Sequence, residues 1–341
     1  MIRIASFPHM RVLCWSDGFL YASRGYELSR AKLGEQASRV VWQPVAAWPA
    51  EYVRKCTSRF PLTSRLVRDG FHALAVLSSG NIVGAVPGHI VTLSPSESRF
   101  RSTHKILRGT RPLHITKTPN DQIVWGEYFD NPARSEVHIY ASTDSGEHWE
   151  VAYTFPRQSI RHIHNIVYDR WGNCFWVLTG DIGSECRILR ASLDFTNWDT
   201  VLSGSQQTRC AAMVPTRDAV YFSSDTPLET NFIYRFDRKG NLDKVAALPG
   251  SSIYGCRVGD CLFFSAMFEP SHVNHNRKVA LFGSADRRQW HELQQWTKDA
   301  WPTNLFQYGN AFLPDGENES DVLALTTLAV KRAETSIWNV S

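Results

Sequence analysis

The chain has 341 residues, a formal net charge of +4, 43% hydrophobic and 21% charged residues. That length fits two domains or one large all-β domain, and the composition supports a sizeable core and excludes a disordered chain. The charge is weak and no long basic run occurs, which excludes a partner bound by phosphate neutralisation, so no nucleic acid is expected.

The N-terminal stretch MIRIASFPHMRVLCW has no basic segment followed by an apolar core, so neither a signal nor a transit peptide is read there. No window approaches about 18 consecutive apolar residues, so no membrane span is expected. IRIASF is the first of many short runs rich in Val, Ile, Phe, Tyr and Trp, with Gly, Asn, Asp or Pro between them. Residues 46–70 form a long connection holding AEYVRKCTSRF (50–60), the segment closest to a helical period. Seven cysteines, at 14, 56, 174, 186, 210, 256 and 261, are odd in number and include no CxxC pair. They suit reduced thiols in a cytoplasmic protein better than disulfides or a cysteine zinc site.

The stretch STDSGEHW (142–149) is a hairpin signal: Asp caps backbone N–H groups, Gly takes a positive φ and Trp plugs between sheets. SLDFTNW (192–198) and SADRRQW (284–290) are degenerate copies. Their serines lie 50 and then 92 residues apart, one repeat and then two. That period predicts four-stranded blades at 10–45, 71–107, 113–154, 162–202, 208–247, 253–295 and 307–340. IRIASF pairs into the last blade and closes the ring, which removes the free sheet edges. The expected fold is therefore all-β, a single seven-bladed β-propeller over 1–341 with 46–70 inserted; six blades is the alternative. The S-x-D-x-G-x-x-W pattern resembles the Asp-box of the BNR and sialidase-like propellers, and the resemblance covers most of the chain as architecture.

In such a ring the connection leading into each innermost strand and the loop between second and third strands open on one rim. RGTRPLH (108–114), RQSIRHIH (157–164) and SGSQQTR (203–209) belong to the first set. GEYFDNPARSE (126–136), TGDIGSE (179–185), SDTPLETN (224–231) and MFEPSHVNHN (267–276) belong to the second. Arg111, Arg161 and Arg209 open successive blades and are candidates to bind a carboxylate bidentately, or else to pair with rim acids such as Glu127, Asp181 or Asp225. Sialidases use an arginine triad on this fold, so the resemblance implies an acidic sugar.

Glu127, Asp181, Glu185, Asp225 and Glu269 are candidate acid–base groups, since glycoside cleavage needs one protonated and one ionised carboxyl. His162 and His164 share a face by the period of two. With His114 and Gln207 they are candidates for a catalytic base or for a Mn, Zn or Fe site. The resemblance implies a Tyr/Glu nucleophile pair that the chain does not match; Tyr254 and Tyr308, opening blades six and seven, are the tyrosine candidates. The expected function is a carbohydrate-active enzyme that hydrolyses an acidic oligosaccharide or polysaccharide without a cofactor. A polysaccharide lyase using His and Arg, with or without metal, and a non-catalytic propeller that binds glycan or protein are the alternatives. Arg161, His162, His164, Glu127, Asp181 and Arg209 are expected to line one pocket.

Overall fold

The computed structural model describes residues 1–33 and 40–340; within the expected first blade, 34–39 lie outside the described residues. Seven antiparallel sheets follow one another along the chain and form a ring, a seven-bladed β-propeller. The first strands of the blades are Arg11–Ser16, Ala73–Val76, Thr116–Lys117, His162–Asp169, Cys210–Pro215, Tyr254–Val258 and Asn310–Phe312. They neighbour one another around the centre, as Cys210–Pro215 lies between His162–Asp169 and Tyr254–Val258. Ile2–Phe7 pairs with Thr335–Asn339 and supplies the outermost strand of the last blade. The short strand Asp315–Gly316 adds a parallel pairing onto Cys14 and Trp15 beside that closure.

Each blade alternates large apolar residues toward its two neighbours, so the core is a ring of inter-blade layers. Leu13, Tyr21, Phe71 and Phe100 fill one; Val124, Ile139, Ile163, Phe175 and Leu189 fill another. Each fully buried aliphatic or aromatic side chain contributes roughly 1.5–3 kcal/mol relative to exposure.

The three Trp-ended hairpins share one construction. Ser142 donates to Asp144 at 2.8 Å, Ser192 to Asp194 at 2.5 Å and Ser284 to Asp286 at 3.2 Å. The aspartates accept backbone N–H groups from His148, Thr196 and Gln289. Each tryptophan reaches the preceding blade: Trp149 bonds Thr103 there and packs on Trp125 of its own blade, Trp198 packs on Tyr153 and Phe155, and Trp290 packs on Tyr221 there and on Phe264 of its own blade. All three rings are half-buried rather than fully enclosed.

The connection after blade one forms two helices, Tyr52–Thr57 and Pro61–Val67. Arg65 ties them to the connection between blades six and seven, donating to the Phe306 carbonyl at 2.9 Å and pairing with Asp299 at 2.6 Å. One further turn of helix, Thr303–Phe306, lies outside the 46–70 connection. The helical pair ends at Arg68 in the left-handed region (φ 56°), which turns the chain back toward blade two.

Candidate functional site

Arg161 and Asp181 do share a rim. His162 pairs with Gly180 across the first two strands of blade four, so the residues just outside that pair, Arg161 and Asp181, meet at 3.2 Å (Nη1 to Oδ2). Arg161 also pairs with Asp130 of blade three. The register then slips by one residue between Ile163 and Asn165, leaving His164 as the extra residue of a β-bulge. Bulges re-aim a side chain. Here the imidazoles of His162 and His164 meet, Nε2 to Nε2, at 3.1 Å. Similar slips recur in the first strands of blades one and five, at Leu13 and Ala211.

Asp181 is the hub. Its Oδ1 lies 3.3 Å from His164 Nε2, 3.5 Å from His162 Nε2 and 3.4 Å from Arg209 Nη2. Burial alone pushes the Asp181 carboxyl up, but the two adjacent histidines and the Arg209 charge overcome this and hold it well below the carboxylate range. Both histidines are buried, and each turns Nδ1 to a carbonyl: Phe129 of blade three at 3.1 Å for His162, Cys210 of blade five at 3.0 Å for His164. Burial lowers the His164 pKa to about 4. The Tyr128 ring covers the pair, 4.3 Å from the His162 ring. Gly109 (φ +77°) lets the chain pass over this loop; a Cβ there would sit 2.4 Å from the Tyr128 carbonyl.

Arg209 joins this cluster to a second one. Its Nε lies 3.7 Å from Asp225 Oδ2, beyond hydrogen-bond range, and both Arg209 Nε and Asp225 Oδ1 are buried without a partner. Burial raises the Asp225 pKa to about 7; the Arg209 charge opposes this, while Glu269 and Asp181 add to it. Glu269, which accepts from Ser251 at 3.2 Å, is also raised, by burial first. Tyr308 stands at the rim, 40% exposed, within the field of Glu269 and Arg209.

Across the rim lies a cationic wall. Arg111 donates to the Arg68 carbonyl at 2.7 Å, and Arg11 lies 3.4 Å from the His72 carbonyl and 4.0 Å over the Phe312 ring. Burial, then the Arg11 and Arg68 charges, lower the Arg111 pKa to about 9. Burial and the same three guanidinium charges hold His72 well below its ordinary value. Arg11 Nε and both His72 ring nitrogens are buried without a partner. Among the described residues, the acid acting on Arg11 is Asp315, which is held by His114 at 3.1 Å. Arg68 acts electrostatically on Tyr128 and Tyr308 as well as on His72, so the two walls adjoin.

Five of the six residues expected in one pocket therefore converge: Arg161, His162, His164, Asp181 and Arg209. Glu127 is turned elsewhere, with its carboxylate held by Arg108 and the His138 N–H at 2.8 Å, because its strand end faces the Arg108 connection of its own blade. Glu185 pairs with Arg134 at 2.7 Å. His114 does not join the other histidines; it packs on Tyr254, itself buried against Phe312 and Arg11, on the cationic side. Gln207 bonds Glu229, Thr230 and Tyr234 in blade five, and its neighbour Gln206 instead donates to the Asp181 carbonyl at 2.9 Å. The sequence reading did not single out Arg11, Arg68, His72, Tyr128, Ser251 or Gln206. Arg11 opens the first strand of blade one and His72 immediately precedes that of blade two, the positional signal used for blades three to five.

The chain matches no family model and no curated protein. Its fold is widely shared among solved structures. An ancestral GH74 enzyme superposes with a TM-score of 0.58 at 12% identity, over 98% of this chain and 46% of that one. A chain of the mitotic checkpoint complex gives 0.56 at 8% identity, over 100% and 94%. The calcium-binding protein regucalcin from Agrobacterium tumefaciens gives 0.50 at 14%, over 80% and 85%. At these identities the likeness shows the propeller fold alone, shared by a glycoside hydrolase and by proteins of other kinds.

Proposed function

We propose that this propeller binds an acidic glycan at the rim and cleaves its glycosidic bond by acid–base chemistry. The observation that carries the reading is Arg209 with a carboxylate on either side, Asp181 and Asp225, whose environments drive ionisation in opposite directions. Carboxyls separated in this way divide into proton donor and basic partner. Asp225, protonated near neutral pH, is the donor to the leaving oxygen, with Glu269 beside it. Ionised Asp181 and the imidazoles form the basic side. The substrate's own carboxylate sits on the cationic wall of Arg11, Arg68 and Arg111, where Arg11 Nε is buried without a partner. Arg161 and Arg209 are occupied by acids of the rim and shape the site rather than bind that carboxylate. The GH74 enzyme among the structural neighbours is consistent with glycoside chemistry on this fold.

The test is a product assay on uronic- and sialic-acid oligosaccharides, with and without chelator. Hydrolysis yields a new reducing end carrying the elements of water. Release of an unsaturated uronate instead would move the reading to a lyase. Tight binding of acidic glycans without any product would leave a binding propeller.

A further inference from the structure

We propose that His162, His164 and Asp181 form a binding site for a divalent first-row transition-metal ion, with zinc the best geometric fit. A backbone carbonyl only accepts, so the Nδ1 atoms facing Phe129 and Cys210 both carry the proton. A neutral imidazole with its proton on Nδ1 presents a lone pair at Nε2. The two Nε2 atoms lie 3.1 Å apart, and Asp181 Oδ1 lies 3.3 and 3.5 Å from them. With both imidazoles neutral, three acceptors converge in a buried place with no proton of their own between them. Such a cluster is repulsive unless a cation sits in it. The guanidinium groups of Arg161 and Arg209 contact acids, Arg209 reaching Asp181 at 3.4 Å, and leave the two imidazole lone pairs unanswered.

The shape of the triangle selects the cation. A tetrahedral ion with bonds of about 2.0–2.1 Å to nitrogen and oxygen holds its ligands about 3.3 Å apart. The three edges here are 3.1, 3.3 and 3.5 Å. Imidazole and carboxylate together suit zinc, and also manganese or ferrous iron. Nδ1–H groups held by carbonyls are the usual outer support of ligating histidines, fixing tautomer and ring orientation. Those carbonyls come from the blades on either side, and the bulge at His164 supplies the close approach. Two imidazoles and one carboxylate leave a position open for water or substrate. An ion there would strengthen the basic side of the proposed site by activating that water. The inference rests on the acidic-glycan reading only for this use, since binding itself follows from the acceptor triangle.

The experiment uses zinc alone and no glycan. The full chain is stripped by chelator, equilibrated with zinc, desalted and analysed for metal. One equivalent per chain is expected, with the affinity falling at least tenfold in His162→Gln and in Asp181→Asn. Cobalt(II) in place of zinc should give the intense visible bands of a tetrahedral site. Circular dichroism checks that each variant folds; if neither does, the cobalt spectrum of the unaltered chain decides alone. Less than one equivalent in the unaltered chain, or equal uptake by folded variants, overturns the proposal. So does an Nε2-bound proton seen by nitrogen NMR in the zinc-treated protein, because a shared proton would then fill the gap. Zinc uptake without glycan cleavage would defeat the cleavage reading and leave the site standing; cleavage by a protein that binds no metal would do the reverse.

Discussion

Asp225 is where a single residue sets a pH dependence. Its folded pKa of about 7 lies above the ordinary aspartate value of about 3.9, so folding favours the protonated form. Its contribution is full below about pH 4, is lost as pH rises through about 7 and is constant above that. The loss is on the order of 4 kcal/mol from the size of the shift. Asp225→Asn, neutral at every pH, should flatten that decline in urea-denaturation stability between pH 4 and 7. As the proton donor, Asp225 should also set the alkaline limb of kcat/KM near 7, and the Asn variant should lose roughly 10²–10⁴-fold in rate. A variant with unchanged rate and unchanged limb would remove Asp225 from the chemistry. Arg111 tests the cationic wall. A desolvated, charge-assisted contact is worth about 1.5–3 kcal/mol, so Arg111→Met should weaken an acidic oligosaccharide by roughly one to two orders of magnitude. A neutral oligosaccharide of equal length should lose far less, as calorimetric titration would show.

At the level of the element, the hairpins after the third strands carry the repeat. Asp144 accepts from Ser142 and from the His148 N–H at 3.0 Å, so Asp144→Ala should cost about 1 kcal/mol in urea unfolding, the typical cost of losing a polar cap. Asp144→Asn keeps an accepting oxygen and should recover most of the loss. If alanine and asparagine destabilise equally, the negative charge rather than the cap holds the turn. These hairpins were legible in the sequence because their contacts are local: serine, aspartate and tryptophan lie within eight residues of one another. The histidine bulge was not. A period of two placed His162 and His164 on one face, and the imidazoles do meet. That the register slips at His164, and that the Cys210 carbonyl holds one ring, depends on the neighbouring strand and blade. Glu127 shows the same limit from the other side, since its rim position was readable and its capture by Arg108 was not.

For the whole molecule, closure is the dominant feature. Ile2–Phe7 hydrogen-bonds to Thr335–Asn339 over a sequence separation of more than three hundred residues, with Arg3 paired to Glu334 and lying over Trp338. Removing residues 1–7 would expose the edge of Thr335–Asn339, and exposed edges invite pairing with other chains. The truncated chain should melt at lower temperature by calorimetry and run as larger species in gel filtration; an unchanged melting point and a monomeric profile equal to the full chain would show that the ring holds without its clasp. The seven blades, with six the alternative, and the closing strand were legible in the sequence. Those follow from alternation, turn residues and a repeat length, all of which are local. Tertiary structure alone decided which rim residues face which. Arg209 lies between two aspartates of successive blades, Arg68 descends from an inserted helical pair, and His114 turns to Asp315 across a separation of 201 residues. Burial then set the ionisation of Asp225 and Arg111, because desolvation depends on the packed surroundings of a group and not on its neighbours in the chain.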